Sequence, residues 1–520
     1  MKEKLQTINS LNNFSPKVAA ICFWSITVFF SALWVILPTM FHTGYRISDV
    51  IEVQCIAKEW VIATRKHPML PAWILEIVNI ITNRSFAAPF IASQFCVILT
   101  LWSVWQLGRK VLSEKLALVG AFTILPYYFF TYHSLVYNQN MVLIAFWSLS
   151  VYFVFQAFQT NRFLYWVLSG VSIGLTFHAK YMAVFLVLSM LIFMFTRSDG
   201  RKLWRGIGPY ITTIIAFLIF TPHIIWLYQN DFATLDYAKN RFIYSSQICR
   251  ILMPMWFTIY QMENWYSTLI VIYPVLGFVW NWKLKIHETK NESACRQYLF
   301  CCFIIPFILC IAIMTVKNCW LSASYGAPFW TFLSVWLMLR FQCNKSANTL
   351  VNTVKLTVLL EVIMYLLLVT SILFSSLHGK QKKQLFPTRE LGTQCDQIWY
   401  SKFNTPCPFV SGEWSICGYA CYAMRDRPSL HFYWNIYDGG ISNLDAKPTG
   451  NWSTDADVNQ KGGLVVWNIS ENNNPNNYIP NWVHQRFPNA EVIPEPIILP
   501  YKTSTKIPPH KIGVAVIPPI

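Results

Sequence analysis

Apolar residues in this chain gather into unbroken runs, many of them about 18 to 22 residues long, a length that matches a hydrocarbon core of roughly 30 Å. The runs fall at 18–41, 86–107, 116–131, 141–158, 163–178, 181–195, 206–227, 267–281, 298–315, 323–340 and 355–376. This pattern predicts an α-helical polytopic membrane protein with about eleven transmembrane helices. The first run, from Val18 to Phe41, follows Lys2, Lys4 and Lys17 and has no small-residue cleavage site. It is also longer than a signal-peptide core, so it reads as an uncleaved first span with a cytoplasmic start.

Polar stretches interrupt the pattern in three places. Residues 42–85 and 228–266 form two long loops, and in the first of these the segment Met69-Leu70-Pro71-Ala72-Trp73-Ile74-Leu75 is apolar but too short to span, so it is read as interfacial. From Leu377 to Ile520 turn formers, Asn and Pro mix with short apolar runs such as Gly463-Leu464-Val465-Val466-Trp467. That mixture predicts a separate soluble domain of mixed α/β character. The expected division is therefore a transmembrane domain over 1–376 and a C-terminal domain over 377–520.

Composition agrees with the span pattern, since 54% of the 520 residues are hydrophobic and only 12% charged. A soluble globule of this size could not be coated by so few charges. The formal net charge of +17 raises the question of nucleic acid. However, Arg109, Lys110, Lys115, Arg162, Arg197, Arg201, Lys202, Arg205, Lys283, Lys285, Lys290, Arg296, Arg340, Lys345 and Lys355 lie in short loops on one side of the drawn spans. That is the placement the positive-inside rule requires of cytoplasmic loops, so the charge reports topology and nucleic acid is excluded as a partner. An odd number of crossings then puts the C-terminal domain outside, in the periplasm of a bacterial cell.

The residues that could carry chemistry converge on the outer face. Asp49 and Glu52 are three apart and share a face if helical, which makes a two-carboxylate patch. Arg65, Lys66 and His67 follow in the same loop and supply the positive charge that a phosphate ligand needs. Asn138 and Asn140 open the fourth span, His178, Lys180 and Tyr181 occupy the outer gap after the fifth, and His223 and Asp231 flank the outer end of the seventh. Buried polar groups at such depth are costly without partners. Each also has a plainer reading: Lys180 can snorkel, Asn138 can cap its helix and His223 can be a hydrogen-bonded packing residue. Glu361 lies inside the last span and reads as structural. Cys395, Cys407, Cys417 and Cys421 cluster in the exported region, where disulfides Cys395–Cys407 and Cys417–Cys421 are the expected pairings. The sequence requires no metal or other cofactor, because no second Cys or His pair of zinc-ligand spacing accompanies them.

With these residues in view, the first outer loop resembles that of membrane glycosyltransferases that use polyprenyl-phosphate sugars, the protein O-mannosyltransferases and the bacterial lipid A aminoarabinose transferases. Those families carry an Asp-Glu-type motif after the first span and a Lys-Pro-Pro-like or His-Pro-Pro-like element beyond it. Here the motifs stand as Asp49 with Glu52 and as Lys66-His67-Pro68, with Met69 in place of the second proline. Tyr137-Asn138-Gln139-Asn140, Gly174-Leu175 with Ala179-Lys180-Tyr181, Pro222-His223-Ile224-Ile225-Trp226, Asn230-Asp231-Phe232 and Arg427-Pro428 are similar to further stretches of bacterial members. In two departures Val follows Asp49 directly, and Asn140 stands where relatives often have Asp.

The resemblance implies a GT-C-like fold, a polyprenyl-phosphate-linked donor and inverting transfer to an envelope acceptor such as lipid A or another glycolipid, by a monomer. On that reading Asp49 is the base, and Lys66, with Lys180, Arg65 and His67, binds the donor phosphate. Glu52, Asn138, Asn140, Tyr181, His223 and Asp231 are the expected substrate contacts. The competing expectation is a transporter or flippase of a lipid-linked headgroup. It would need polar groups that continue through the midplane, whereas these stop in the outer third.

Overall fold

The computed structural model describes residues 15–45, 48–240, 248–344, 346, 348–433, 440–444, 452–469, 479–501 and 506–520. Lys2, Lys4 and Lys345, three of the residues used to orient the chain, lie outside the described residues. The chain divides into two compact units built from interleaved stretches. One comprises Met1–Ile36, Phe90–Leu135 and Gln139–Leu368, and the other Leu37–Pro89, Val136–Asn138 and Val369–Ile520.

Hydrophobicity dictates the first unit. Among the described residues of the chain six helices are long and apolar enough to cross a membrane: Pro16–Phe41, Ala88–Gly108, Gln139–Thr160, Gly208–Gln229, Lys290–Lys317 and Thr349–Leu377. Phe163–Ala179 and Ala183–Thr196 are apolar but shorter. Three predicted runs are broken. The run at 116–131 is a helix only over Glu114–Ile124, ahead of Pro126; 267–281 divides between Met262–Val271 and Tyr273–Leu276, at Pro274; and 323–340 divides between the 3-10 segment Ala323–Trp330, which contains Gly326 and Pro328, and the helix Leu333–Arg340. Proline has no N–H for the ladder and clashes with the preceding turn, which is why continuous hydrophobicity did not become continuous helix there. The stretch 228–266, expected as a loop, contains the helices Ala233–Asn240 and Cys249–Tyr260.

Close helix packing in this unit rests on small residues. A Cβ at Gly170 would come within 2.8 Å of Ile215, and one at Gly174 within 2.8 Å of Ile219. The pair thus lets Phe163–Ala179 lie against Gly208–Gln229 backbone to backbone, as small residues four apart do in membrane helices. Glu361 is fully buried in Thr349–Leu377 and accepts a 2.9 Å bond from Trp34 Nε1, which identifies the partner the sequence left open.

The second unit is mixed. Its sheet runs in the order β2 (Ser429–Phe432), β1 (Phe409–Gly412), β3 (Gly463–Asn468), β6 (His510–Ile517), β4 (Glu491–Val492), with β5 (Ile497–Leu499) also paired to β6. β1 is parallel to both β2 and β3, whereas β6 is antiparallel to β3. The Gly463–Trp467 run read from the sequence is the central strand β3, and Leu464, Val465, Val466 and Trp467 are all buried, as expected of a strand covered on both faces. Phe409, Val458, Val465, Trp467, Phe487 and Ile517 pack into the hydrophobic core. The helices Ser48–Ala57, Leu70–Ile81, Thr388–Tyr400 and Trp414–Ala423 belong to the same unit.

The four clustered cysteines stand as free thiols, so the expected pairings Cys395–Cys407 and Cys417–Cys421 do not form in this structure. Cys417 and Cys421 are four apart on Trp414–Ala423. Cβ atoms so spaced on a helix are about 5–6 Å apart, wider than the roughly 3.5–4.5 Å a disulfide spans. The Cys407 thiol instead bonds the Phe409 carbonyl at 3.3 Å, and burial raises its pKa well above the ordinary thiol value.

Candidate active site

The predicted carboxylates lie on one short helix. Ser48–Ala57 carries Asp49 in its first turn and Glu52 one turn on, as their spacing requires. The helix gives them different environments, Asp49 half-buried and Glu52 only 3% exposed. The basic element follows as a tight reversal in which Ala63 bridges Pro68, the Thr64 N–H donates to the His67 carbonyl at 3.0 Å, and Thr64 Oγ1 accepts the Lys66 N–H at 3.2 Å. That turn leaves Arg65 and His67 half-buried and sends Lys66 inward, where its Nζ meets Glu52 Oε2 at 2.6 Å with both side chains under a tenth exposed. Glu52 is thus the counter-ion that aims Lys66.

The helix is fixed from the far end of the sequence. Arg427 forms two 2.8 Å bonds to the carboxylate of Glu76 on Leu70–Ile81, and its Nη2 lies 3.5 Å from the Gln54 carbonyl. Gln54 Nε2 bonds Asn79 Oδ1 at 3.0 Å, and Asn79 Nδ2 donates to Glu76 at 3.1 Å. Burial works against the charge on Glu76, but the bonds from Arg427 and Asn79 outweigh it and hold the carboxyl below its ordinary value. Trp414–Ala423 supplies the seat, since Gly418 sits where a Cβ would come within 2.4 Å of Ile51 Cγ2, and its carbonyl accepts the Cys55 thiol at 3.3 Å. Tyr419 Oη donates to the Tyr45 carbonyl at 3.1 Å. Sequence reasoning did not select Gln54, Glu76, Asn79 or Gly418 and used Arg427 only as part of a motif. The one available signal was a lone acid, Glu76, in an otherwise apolar stretch.

The other unit holds a second polar group. Lys180, 8% exposed, donates to Asn140 Oδ1 at 2.7 Å and lies 3.5 Å from the ring centroid of Tyr325. Asn140 Nδ2 reaches Ser324 Oγ at 3.4 Å. Tyr325 and Ser324 come from the 3-10 segment Ala323–Trp330, which the sequence reading had assigned to a span. Tyr181 Oη is 2.6 Å from Nε2 of fully buried His223, and His178 Nε2 is 2.8 Å from the Ile219 carbonyl. Asn140, Lys180, Tyr181 and His223 are therefore all engaged in polar contacts. Asn138, in the other unit, is buried in the turn before Gln139–Thr160, whereas Asp231 is exposed in a left-handed turn (φ 50) after Gly208–Gln229 and joins no described contact. Among the described residues no cluster of three or more His, Cys, Asp or Glu suited to a metal is found.

A third polar cluster, unanticipated from the sequence, lies in the sheet domain. His431 bonds Ser453 Oγ and Asp455 Oδ1, each at 2.8 Å, and Asp455 also takes Tyr433 Oη at 2.6 Å and Arg486 Nη1 at 2.8 Å. Burial opposes the charge of Asp455, yet the bonds from His431 and Tyr433 and the Arg486 charge bring it down to about 2.

Comparison with known proteins agrees with this architecture. Residues 66–226 match the family described as dolichyl-phosphate-mannose-protein mannosyltransferase. No curated protein sequence matches significantly. The crystal structure of ArnT from Cupriavidus metallidurans bound to undecaprenyl phosphate superposes with a TM-score of 0.51 at 9% identity, over 96% of this chain and 98% of that one. The archaeal oligosaccharyltransferase AglB from Archaeoglobus fulgidus, in complex with an inhibitory peptide and a dolichol-phosphate, gives 0.39 at 14% identity, over 82% and 65%. The protein is a multi-pass membrane protein with the ArnT-like fold, several apolar spans followed by a mixed-sheet region. Within that class its similarity to the mannosyltransferase family is confined to residues 66–226, just under a third of the chain.

Proposed function

We propose that this enzyme transfers a sugar, with inversion, from a polyprenyl phosphate to lipid A or another envelope glycolipid at the outer face of the membrane. The observation that carries this reading is the buried 2.6 Å pair between Glu52 on the Asp49 helix and Lys66 on the turn that follows it. Inverting transfer needs a base for the acceptor hydroxyl and a fixed cation for the departing phosphate. Asp49 takes the hydroxyl proton as the acceptor oxygen attacks the anomeric carbon. The bond from that carbon to the phosphate oxygen breaks, and the polyprenyl phosphate leaves with the electron pair. Lys66, oriented by Glu52, meets the charge that builds on this phosphate, and Arg65 and His67 flank it. A charged contact of this kind is worth about 2 to 4 kcal/mol in the transition state. The lipid tail stays in the bilayer. Asn140, Lys180, Tyr181 and His223 form a further polar group for substrate.

The proposed orientation has the amino terminus in the cytoplasm and residues 377–520 outside, periplasmic in a bacterium, with 1–376 as the transferase domain. Support comes from the sorting of Lys and Arg into alternate loops.

The test is transfer of labelled sugar from undecaprenyl phosphate to extracted envelope lipids by purified Asp49→Asn protein. The substitution keeps size and hydrogen bonding but removes the base, so turnover should be lost while folding is retained. Transfer at the wild-type rate would refute the assignment of Asp49.

A further inference from the structure

We propose that a cavity at the basic end of the helix bundle, lined by none of the candidate site residues, binds the phosphate of an anionic phospholipid headgroup. The cavity encloses about 920 Å³ and belongs wholly to one unit. Charged side chains on its wall are Lys110, Lys115, Lys285, Glu114 and Glu292. The two acids are already neutralised: Arg109 pairs with Glu114 at 2.9 Å and Lys285 with Glu292 at 2.8 Å. Three lysines against two carboxylates leave the wall net positive, and Arg109 adds a further positive charge behind Glu114. The Ser346 carbonyl anchors the Lys115 ammonium at 2.6 Å, and Lys110 is exposed.

The surroundings select a lipid over a soluble anion. The segment carrying Lys285 is held to the opposite wall by bonds from the Lys285 N–H to the Arg340 carbonyl at 3.0 Å and from the Gln342 N–H to the Lys283 carbonyl at 2.8 Å. On either side of Lys285 in the chain, Ile286 is 80% and Leu284 51% exposed. Exposed aliphatic side chains next to a wall lysine, with Phe341 on the wall itself, suit the depth where headgroup meets acyl chain. A water-filled phosphate site would have no use for them. The excess of Lys and Arg in these loops marks this end as cytoplasmic, the face on which basic pockets between helices meet anionic headgroups. The cavity and its charge carry the inference. It does not depend on which sugar or acceptor the enzyme uses.

The test uses full-length protein, purified in detergent, stripped of lipid and offered equal phosphatidylglycerol and phosphatidylcholine, with retention read by native mass spectrometry. Wild type should prefer phosphatidylglycerol about tenfold, and the preference should weaken in high salt. Lys110→Gln combined with Lys115→Gln should abolish it. Lys110→Glu, a single change at an exposed position, should weaken it strongly and guards against misfolding of the double variant. Equal retention of the two lipids by wild type would overturn the inference, as would an unchanged preference in Lys110→Glu. Displacement of phosphatidylglycerol by millimolar inorganic phosphate would assign the cavity to a soluble anion instead.

Discussion

Replacing Arg427 with Met should loosen the helix that carries Asp49 although the two residues share no contact. Arg427 and Glu76 are 9% and 8% exposed and joined by two bonds of 2.8 Å, with the Gln54 carbonyl as a third neighbour. Opposite charges about 4 Å apart at an effective dielectric constant near 20 attract by about 4 kcal/mol. Much of that offsets the desolvation of both ions, so the larger effect of the substitution is to leave Glu76 buried without its counter-ion, which costs about 3 to 5 kcal/mol. Glu76→Gln strands the guanidinium and should cost a similar amount. The double variant removes both charges and should recover much of the loss, a coupling of about 2 kcal/mol or more. Denaturant unfolding in mixed micelles, followed by Trp fluorescence, measures all four corners of the cycle. Turnover should fall at least about tenfold in Arg427→Met, because misplacing a catalytic group by an ångström is enough for such losses. Additive single effects, with coupling under about 0.5 kcal/mol, would refute the clamp.

Lys66→Ala should lower turnover by about 30- to 1000-fold in the sugar-transfer assay, with the double variant Lys66→Met, Glu52→Gln retaining the wild-type fold because it buries no lone charge. Gly418→Ala places a Cβ within 2.4 Å of Ile51 Cγ2 and should destabilise by about 1 to 3 kcal/mol, and Ile51→Ala in the same chain should relieve part of the loss in a melting experiment. Asp455 titrates below its ordinary value of 3.8, so its contribution is complete above that value and disappears as pH falls through about 2. Melting temperature should accordingly fall between pH 3.8 and about 2 in wild type, with the slope reduced in Asp455→Asn.

Hydrophobic run length made the membrane architecture readable, because a span must be apolar along its whole length whatever it packs against. The same signal overran where backbone chemistry intervened, at Pro126, Pro274 and the Gly326–Pro328 turn, so the source of Ser324 and Tyr325 beside Lys180 was hidden. Local spacing was informative for Asp49 and Glu52, which lie one turn apart as read. It was silent on Arg427 and Glu76, 351 residues apart, since no periodicity records a contact at that distance. The cysteines show the opposite error. Proximity in sequence suggested a Cys417–Cys421 bond that the geometry of a helix turn does not allow.

The seat of the Asp49 helix is made of residues at opposite ends of synthesis. At about 5 to 20 residues per second, the 351 positions between Glu76 and Arg427 correspond to roughly 20 to 70 seconds of translation. Through that interval the nascent chain holds an unclamped acid and a carboxylate helix without its docking surface. A chain that stops short of Arg427 therefore lacks the counter-ion that holds Glu76 beside the carboxylate helix.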